Sequence, residues 1–209
     1  MKVVAISDTH GLHHQLEIPE GDLLIHSGDL SYEGTEVEIQ DFLDWFSALP
    51  HPQKVFIAGN HDFYLETASE AELEKIIPSN IHYLNDQLLE IEGIRIWGSP
   101  ITPIPGRRWA FNRERGADIQ PHWDLIPENL DLLMVHGPAY GIFDTTLSEK
   151  VVGCENLRET LFLRKPKHFI FGHIHEARGI QTLEGIQCIN ASSVDRHRTE
   201  LFPPIIFEL

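Results

Sequence analysis

The sequence predicts a mixed α/β fold with two packed mixed sheets flanked by helices. Three observations carry this. Five short apolar runs, residues 2–7, 22–27, 54–58, 132–135 and 168–171, each end at a polar or glycine-containing motif, as strands covered on both faces do. Segments with capping signals and helical spacing lie between them. Other runs follow one another through Glu-Gly turns with no helix between, which adds hairpins to the alternating pattern.

In chain order, the strand over 2–7 leads into Asp8-Thr9-His10, and that over 22–27 into Gly28-Asp29. Thr35 and Glu38 then form a capping box, in which the Thr hydroxyl and the Glu carboxylate satisfy free backbone amides. Ile39, Phe42, Leu43, Phe46 and Leu49 follow at helical spacing, and Pro50 closes the segment. The run over 54–58 precedes Gly59-Asn60-His61-Asp62. Ser69 and Glu72 repeat the capping logic for a helix with Leu73, Ile76 and Ile77 on its apolar face, ended by Pro78. Residues 81–84, 87–91 and 94–97 read as a meander with a turn at Glu92-Gly93.

Residues 103–122 carry Pro and Gly and argue against a regular element. The strand over 132–135 leads into His136-Gly137. A helix runs from about 154 to 163, stopped by Pro166, before the strand over 168–171 and Gly172-His173-Ile174-His175. The chain ends as a second meander over 179–183, 186–190 and 205–208, with Glu184-Gly185 as its turn.

At 209 residues the chain fits a single domain, 1–209, with a core that needs no disulfide. Cys154 and Cys188 belong to no metal spacing and are expected reduced and buried. A net charge of −16 disfavours nucleic-acid polymers and acidic membranes, and would repel an anionic substrate unless the site supplies positive charge. The N-terminal strand turns polar too quickly for a signal peptide and no run reaches transmembrane length, so a cytoplasmic location is expected. The oligomeric state is left open.

The five motifs hold oxygen and imidazole ligands with no thiolate, a donor set for borderline-hard dications. There are enough ligands for two ions. Asp29 is the candidate bridge, since a carboxylate can turn one oxygen to each metal. Asp8, His10 and His175 would complete one site; Asn60, His136 and His173 would hold the other. Two divalent ions, manganese first and iron, zinc or magnesium as alternatives, would leave a local charge of about +2 to offset the acidic surface. A water bridging them would lose its proton near neutral pH and attack phosphorus in line. His61, beside Asn60, is the candidate general acid or transition-state stabiliser, with Asp62 as its orienting partner.

At these residues the chain resembles the calcineurin-like metallophosphoesterase superfamily. The pattern Asp8-x-His10, Gly28-Asp29, Gly59-Asn60-His61-Asp62, His136-Gly137, Gly172-His173-x-His175 covers most of the sequence. The resemblance implies a four-layer α/β/β/α sandwich and a dinuclear site often holding Mn, Fe or Zn. The runs around Gly59-Asn60-His61, 123–127, 133–138, 171–176 and 203–207 look like the MPPED-type metallophosphodiesterases. Some animal members of that group carry Gly at the position of His173 and are weak enzymes; the His here implies an active one. Protein Ser/Thr phosphatases follow Gly-Asp with a segment ending Asp-Arg-Gly. The run Gly28-Asp29-Leu30-Ser31-Tyr32-Glu33-Gly34 has no Arg, which argues against phosphoprotein substrates.

The expected function is therefore metal-dependent hydrolysis of small-molecule, nucleotide-like phosphodiesters. A phosphomonoesterase is the alternative enzyme, and a catalytically weak nucleotide-binding or scaffold protein is the alternative from another class. Asn60 and His61 are also expected to face substrate. Arg107, Arg108, Trp109, Phe111, Arg113 and Arg115 interleave base-stacking and phosphate-binding side chains, or else form an irregular surface loop; Arg107 and Arg108 are taken as the substrate-binding pair. Each motif alone is weak, since Gly-Asp and Gly-Asn-His-Asp are ordinary turn sequences. Of the other histidines, His26 in an apolar strand is expected to be a buried hydrogen-bonding residue, and His13 and His14 to lie on a solvated loop.

Overall fold

The computed structural model describes residues 1–106 and 109–209. Its strands are β1 (Lys2–Ile6), β2 (Leu23–Ser27), β3 (Gln53–Ile57), β4 (His82–Tyr83), β5 (Gln87–Ile91), β6 (Ile94–Ser99), β7 (Thr102–Pro103), β8 (Asn112–Arg113), β9 (Leu132–Val135), β10 (His168–Phe171), β11 (Gly179–Leu183), β12 (Ile186–Asn190) and β13 (Ile205–Glu208). The helices are α1 (Glu36–Ala48), α2 (Phe63–Thr67), α3 (Glu70–Ile76), α4 (Gln120–Asp124) and α5 (Glu155–Arg164), with short 3-10 turns at His13–Gln15 and His175–Ala177.

Two large mixed sheets form, ordered β13-β1-β2-β3-β4 and β11-β12-β10-β9-β6-β5. In the first, β1 to β4 are parallel and β13 adds antiparallel to β1. In the second, β6, β9, β10 and β12 are parallel, with antiparallel β5 and β11 at the edges. Side-chain alternation explains how each sheet is covered twice. Val3 and Ala5 of β1 pack with Leu132 and Met134 of β9 and Ile170 of β10 between the sheets. Their neighbours Val4, Ile6, Leu133, Val135, Phe169 and Phe171 join the outer core. That core includes Phe42 and Phe46 of α1, Trp123 of α4, and Leu157 and Leu161 of α5. Burying each such large side chain contributes about 1.5–3 kcal/mol. The layers are helix, sheet, sheet, helix.

Local signals predicted the helices that carry caps. Thr35 accepts the Glu38 N–H, the Glu38 carboxylate accepts the Thr35 N–H, and the same reciprocal pair joins Ser69 and Glu72. Cys154 caps α5 through its sulfur, and both cysteines are free and buried. Three expectations change. Residues 81–84 do not begin a meander: β4 pairs with β3 in the first sheet, and only β5 and β6 form the hairpin. Likewise β13 leaves β11 and β12 and crosses to β1. The stretch 103–122, expected to lack regular structure, contributes to the short β7–β8 pair and the start of α4. Among the described residues no helix is long and apolar enough to cross a membrane.

Candidate metal centre

The five motifs follow β1, β2, β3, β9 and β10, so their loops leave the carboxyl ends of parallel strands, where α/β sheets gather their sites. The backbone turns sharply there. Asp8, His10, Asp29 and His173 all have positive φ, between 45° and 70°. Non-glycine residues adopt that region at an energetic cost, and such residues collect at functional sites. Close approach demands glycine beside them. Gly28 has φ +98°, and a Cβ there would stand 2.5 Å from His136 Nδ1 and 2.6 Å from the Ala58 carbonyl. A Cβ on Gly172 would overlap the Asp8 carboxylate and the Ser7 hydroxyl.

Two main ligand groups result, with a third, His10, Asp29 and His61, overlapping both. Asp8, His10 and His175 lie together, as do Asp29, His136 and His173, with the potential ligand atoms in each group within 4.8 Å of one another. Asn60 joins the second through Oδ1, 3.0 Å from His136 Nε2. Asp29 lies between them: Oδ2 is 3.6 Å from His10 Nε2 and Oδ1 is 3.4 Å from His136 Nε2. His61 packs edge-on against His10, ring centroids 4.7 Å apart. Most of these side chains are fully or nearly buried.

Backbone carbonyls orient the imidazoles. Nδ1–H of His10 donates to Ser31 O (3.1 Å), that of His136 to Ser27 O (2.9 Å), and that of His175 to Val194 O (3.0 Å). Each ring then directs Nε2 inward, the orientation that metal-ligating histidines use, although His136 must first give up its Nε2 proton. The Nε2 atoms of His10 and His175 stand 3.3 Å apart. Two lone pairs at that distance repel unless a proton or a metal ion lies between them. The donor set fits divalent metal.

Electrostatics point the same way. Burial alone would raise Asp8 and Asp29, but the neighbouring histidines hold Asp8 below, and Asp29 well below, the usual carboxylate range. Burial pushes His10 and His173 down to about 4, which keeps them neutral. Burial would lower His136 too, but the Asp29 carboxylate, followed by Asp8, raises it to about 9.

One expected role is corrected. Asp62 does not orient His61. Its fully buried carboxylate accepts the N–H groups of Leu30 (3.2 Å), Ser31 (3.0 Å) and Gly59 (2.7 Å) and the Ser31 hydroxyl (2.6 Å). It ties the Gly28-Asp29 loop to the Gly59-Asn60 loop and is a positioning residue. Burial, then the charge of Asp29, raises it to about 6. His61 instead donates Nδ1–H to Tyr32 O at 2.7 Å, while its own N–H donates to Asp29 Oδ1 at 2.8 Å.

Arg107 and Arg108 lie outside the described residues. Arg113 and Arg115 spend their guanidinium groups on the protein: Arg113 on His122 and the Asn112 carbonyl, Arg115 on Glu155 and the Val152 and Gly153 carbonyls. His26 is the buried hydrogen-bonding residue expected, accepting the Gly28 N–H at Nδ1 and lying 3.0 Å from the Thr9 hydroxyl. Sequence reasoning missed Asn190 and Ser192. They hold Asp8 and the Ile174 carbonyl, and the only signal for them is a run of small polar residues after a strand.

This constellation on two parallel-cored sheets defines a metallophosphoesterase. The chain belongs to the calcineurin-like phosphoesterase family, whose pattern matches residues 1–177 and so includes every candidate ligand. Membership supports metal-dependent phosphoester hydrolysis. The chain is 34% identical to human Metallophosphoesterase domain-containing protein 1 over 232 residues, covering 100% of this chain and 71% of that protein. A Caenorhabditis elegans relative is 35% identical over 229 residues, covering 100% and 81%. Solved structures share the fold at low identity. A phosphopantetheinyl hydrolase from Mycobacterium tuberculosis superposes with TM-score 0.64 at 12% identity, covering 94% of this chain and 90% of that one. A Thermus thermophilus protein gives 0.63 at 14%, covering 99% and 98%.

Proposed function

We propose that this chain is a dinuclear phosphodiesterase of small, nucleotide-like substrates. The observation that carries it is Asp29, whose two oxygens face separate histidine groups at 3.6 and 3.4 Å, as a carboxylate shared by two ions does. On this reading Asp8, His10 and His175 hold one divalent ion, Asn60, His136 and His173 hold the other, and Asp29 serves both. The ions, manganese first among those to test, would supply Lewis acidity and an activated water to the phosphorus.

The chain's own part is orientation and proton handling. With Nδ1–H engaged by the Tyr32 carbonyl, the exchangeable proton of His61 sits at Nε2. When the ring is doubly protonated, that atom can donate to the leaving oxygen. Beside it runs a row of rings: Tyr32 stacks on His61 (5.9 Å), His61 packs on Trp109 (4.6 Å), and Trp109 stacks on Phe63 (6.1 Å). The Arg198 guanidinium lies 3.8 Å above the Tyr32 ring. Flat apolar faces with a cation beside them suit a nucleobase attached to the phosphate.

Manganese-loaded protein assayed on a chromogenic diester and the matching monoester tests this. The diester should turn over faster, and Asp29→Ala and His136→Ala should each lose at least about 100-fold. Undiminished rates in both variants would remove the ligand assignment. Faster monoester turnover would replace the diesterase reading with a monoesterase one.

A further inference from the structure

Away from that centre, His13, His14 and Asp41 bring potential ligand atoms within 4.8 Å of one another. The histidines lie in the 3-10 turn that follows the Asp8–His10 motif, and Asp41 lies on α1. The two imidazoles approach different oxygens of one carboxylate. His13 Nε2 is 3.2 Å from Oδ2, and His14 Nε2 is 3.2 Å from Oδ1. Bonds of about 2.0–2.1 Å to a tetrahedral ion separate neighbouring donor atoms by about 3.3 Å, close to the spacing found.

His13 is the unusual member. Sequence reasoning expected it on a solvated loop with His14. Only His14 is exposed; His13 is fully buried. Its ring packs against Phe42 and Trp45, with centroids 5.5 and 4.9 Å away. Among the described residues Nδ1 has no hydrogen-bond partner, and Nε2 has only the Asp41 carboxylate, 3.2 Å away and poorly aligned for a hydrogen bond. Burial pushes its pKa down to about 4, so the ring is neutral with a lone pair available. A buried ring nitrogen left unpaired is expensive, and such groups in native proteins call for an explanation.

We propose that His13, His14 and Asp41 form a further metal site that takes a zinc-class dication. Two imidazoles and one carboxylate suit Zn, or Co and Ni, more than Mg or Ca. The side chains of His14 and Asp41 are 57% and 55% exposed, so water can fill the remaining positions. The ion would pin the turn after His10 to α1, as a structural clip and not a reaction centre. This inference does not rest on the proposed reaction.

The test uses the full chain, stripped with a chelator, reloaded with manganese, and dialysed against micromolar zinc chloride. Total bound metal, manganese plus zinc, is counted by elemental analysis for wild type, Asp41→Ala and His14→Ala. Both variant positions are half exposed, so the fold should persist. Wild type should hold about one ion per chain more than either variant. It should also gain a zinc-dependent rise in Tm of about 5 °C that both variants lack. Equal total metal in the three proteins would overturn the site, whatever the centre at Asp29 binds.

Discussion

The Ser192 hydroxyl donates to Asp8 Oδ2 at 2.9 Å across 184 residues of sequence. The backbone N–H of His173 reaches the same carboxylate, at 2.9 and 3.0 Å from its two oxygens. Asn190 anchors this arrangement by accepting the Ser192 N–H and donating to the Ile174 carbonyl. Asp8 is thus held in one orientation from two sides, by the backbone of the Gly172–His175 loop and by Ser192, on a segment that carries no candidate ligand.

Ser192→Ala should therefore weaken metal binding while leaving every candidate ligand in place. Removing a hydrogen-bond partner of a ligand typically lowers affinity about 10- to 100-fold. Manganese titration of the purified variant reads this directly, and an affinity equal to wild type would refute the role given to Ser192.

His136 makes the metal-free protein sensitive to alkali. Burial alone would lower its pKa, but Asp29 and Asp8 hold it at about 9 in the folded chain, against 6.5 for an ordinary imidazole. The folded state thus keeps a proton that the unfolded state releases earlier. The resulting stability is complete below about pH 6.5 and is lost as pH rises through 9. On the proposed ligation, a bound ion would take the proton's place. Chelator-treated protein should therefore lose several degrees more Tm between about pH 6.5 and 9 than manganese-loaded protein does. Parallel Tm curves for the two forms would contradict this.

The candidate ligands were legible because each sits beside its own local signal, an apolar run followed by Gly, Asp, Asn or His at a strand end. Sheet membership was not. Residues 205–208 alternate Ile205 and Phe207 inward against exposed Ile206 and Glu208, a pattern that suits pairing with β12 as well as with β1. Only the distant partner decides. β4 is two residues long and carries even less information. The same limit applied at Asp62. Next to His61 in sequence, it reads as that residue's orienting partner, whereas the donors that surround it come from Leu30, Ser31 and Gly59. Ser192 had no distinctive pattern, since small polar residues after a strand are ordinary loop composition.

The adjacent pair His61 and Asp62 should separate cleanly by phenotype. His61 is partly exposed beside the ligand groups, and among the described residues its side chain hydrogen-bonds only through Nδ1–H to the Tyr32 carbonyl. His61→Gln should keep Tm within about 2 °C of wild type, retain its metal, and lose about 10²- to 10⁴-fold in kcat, the range for removing a general acid. Asp62→Ala strips the acceptor from three buried N–H groups, each costing about 1–3 kcal/mol when left unsatisfied. At about 2–4 °C per kcal/mol for a chain of this size, Tm should fall by about 10 °C or more. Metal affinity should fall with it, because the Gly28-Asp29 and Gly59-Asn60 loops lose their tie. Thermal melts and metal analysis on both variants decide the matter. A thermally normal Asp62→Ala that binds metal fully but does not turn over would restore Asp62 to the chemistry and undo the positioning role argued from its four hydrogen bonds.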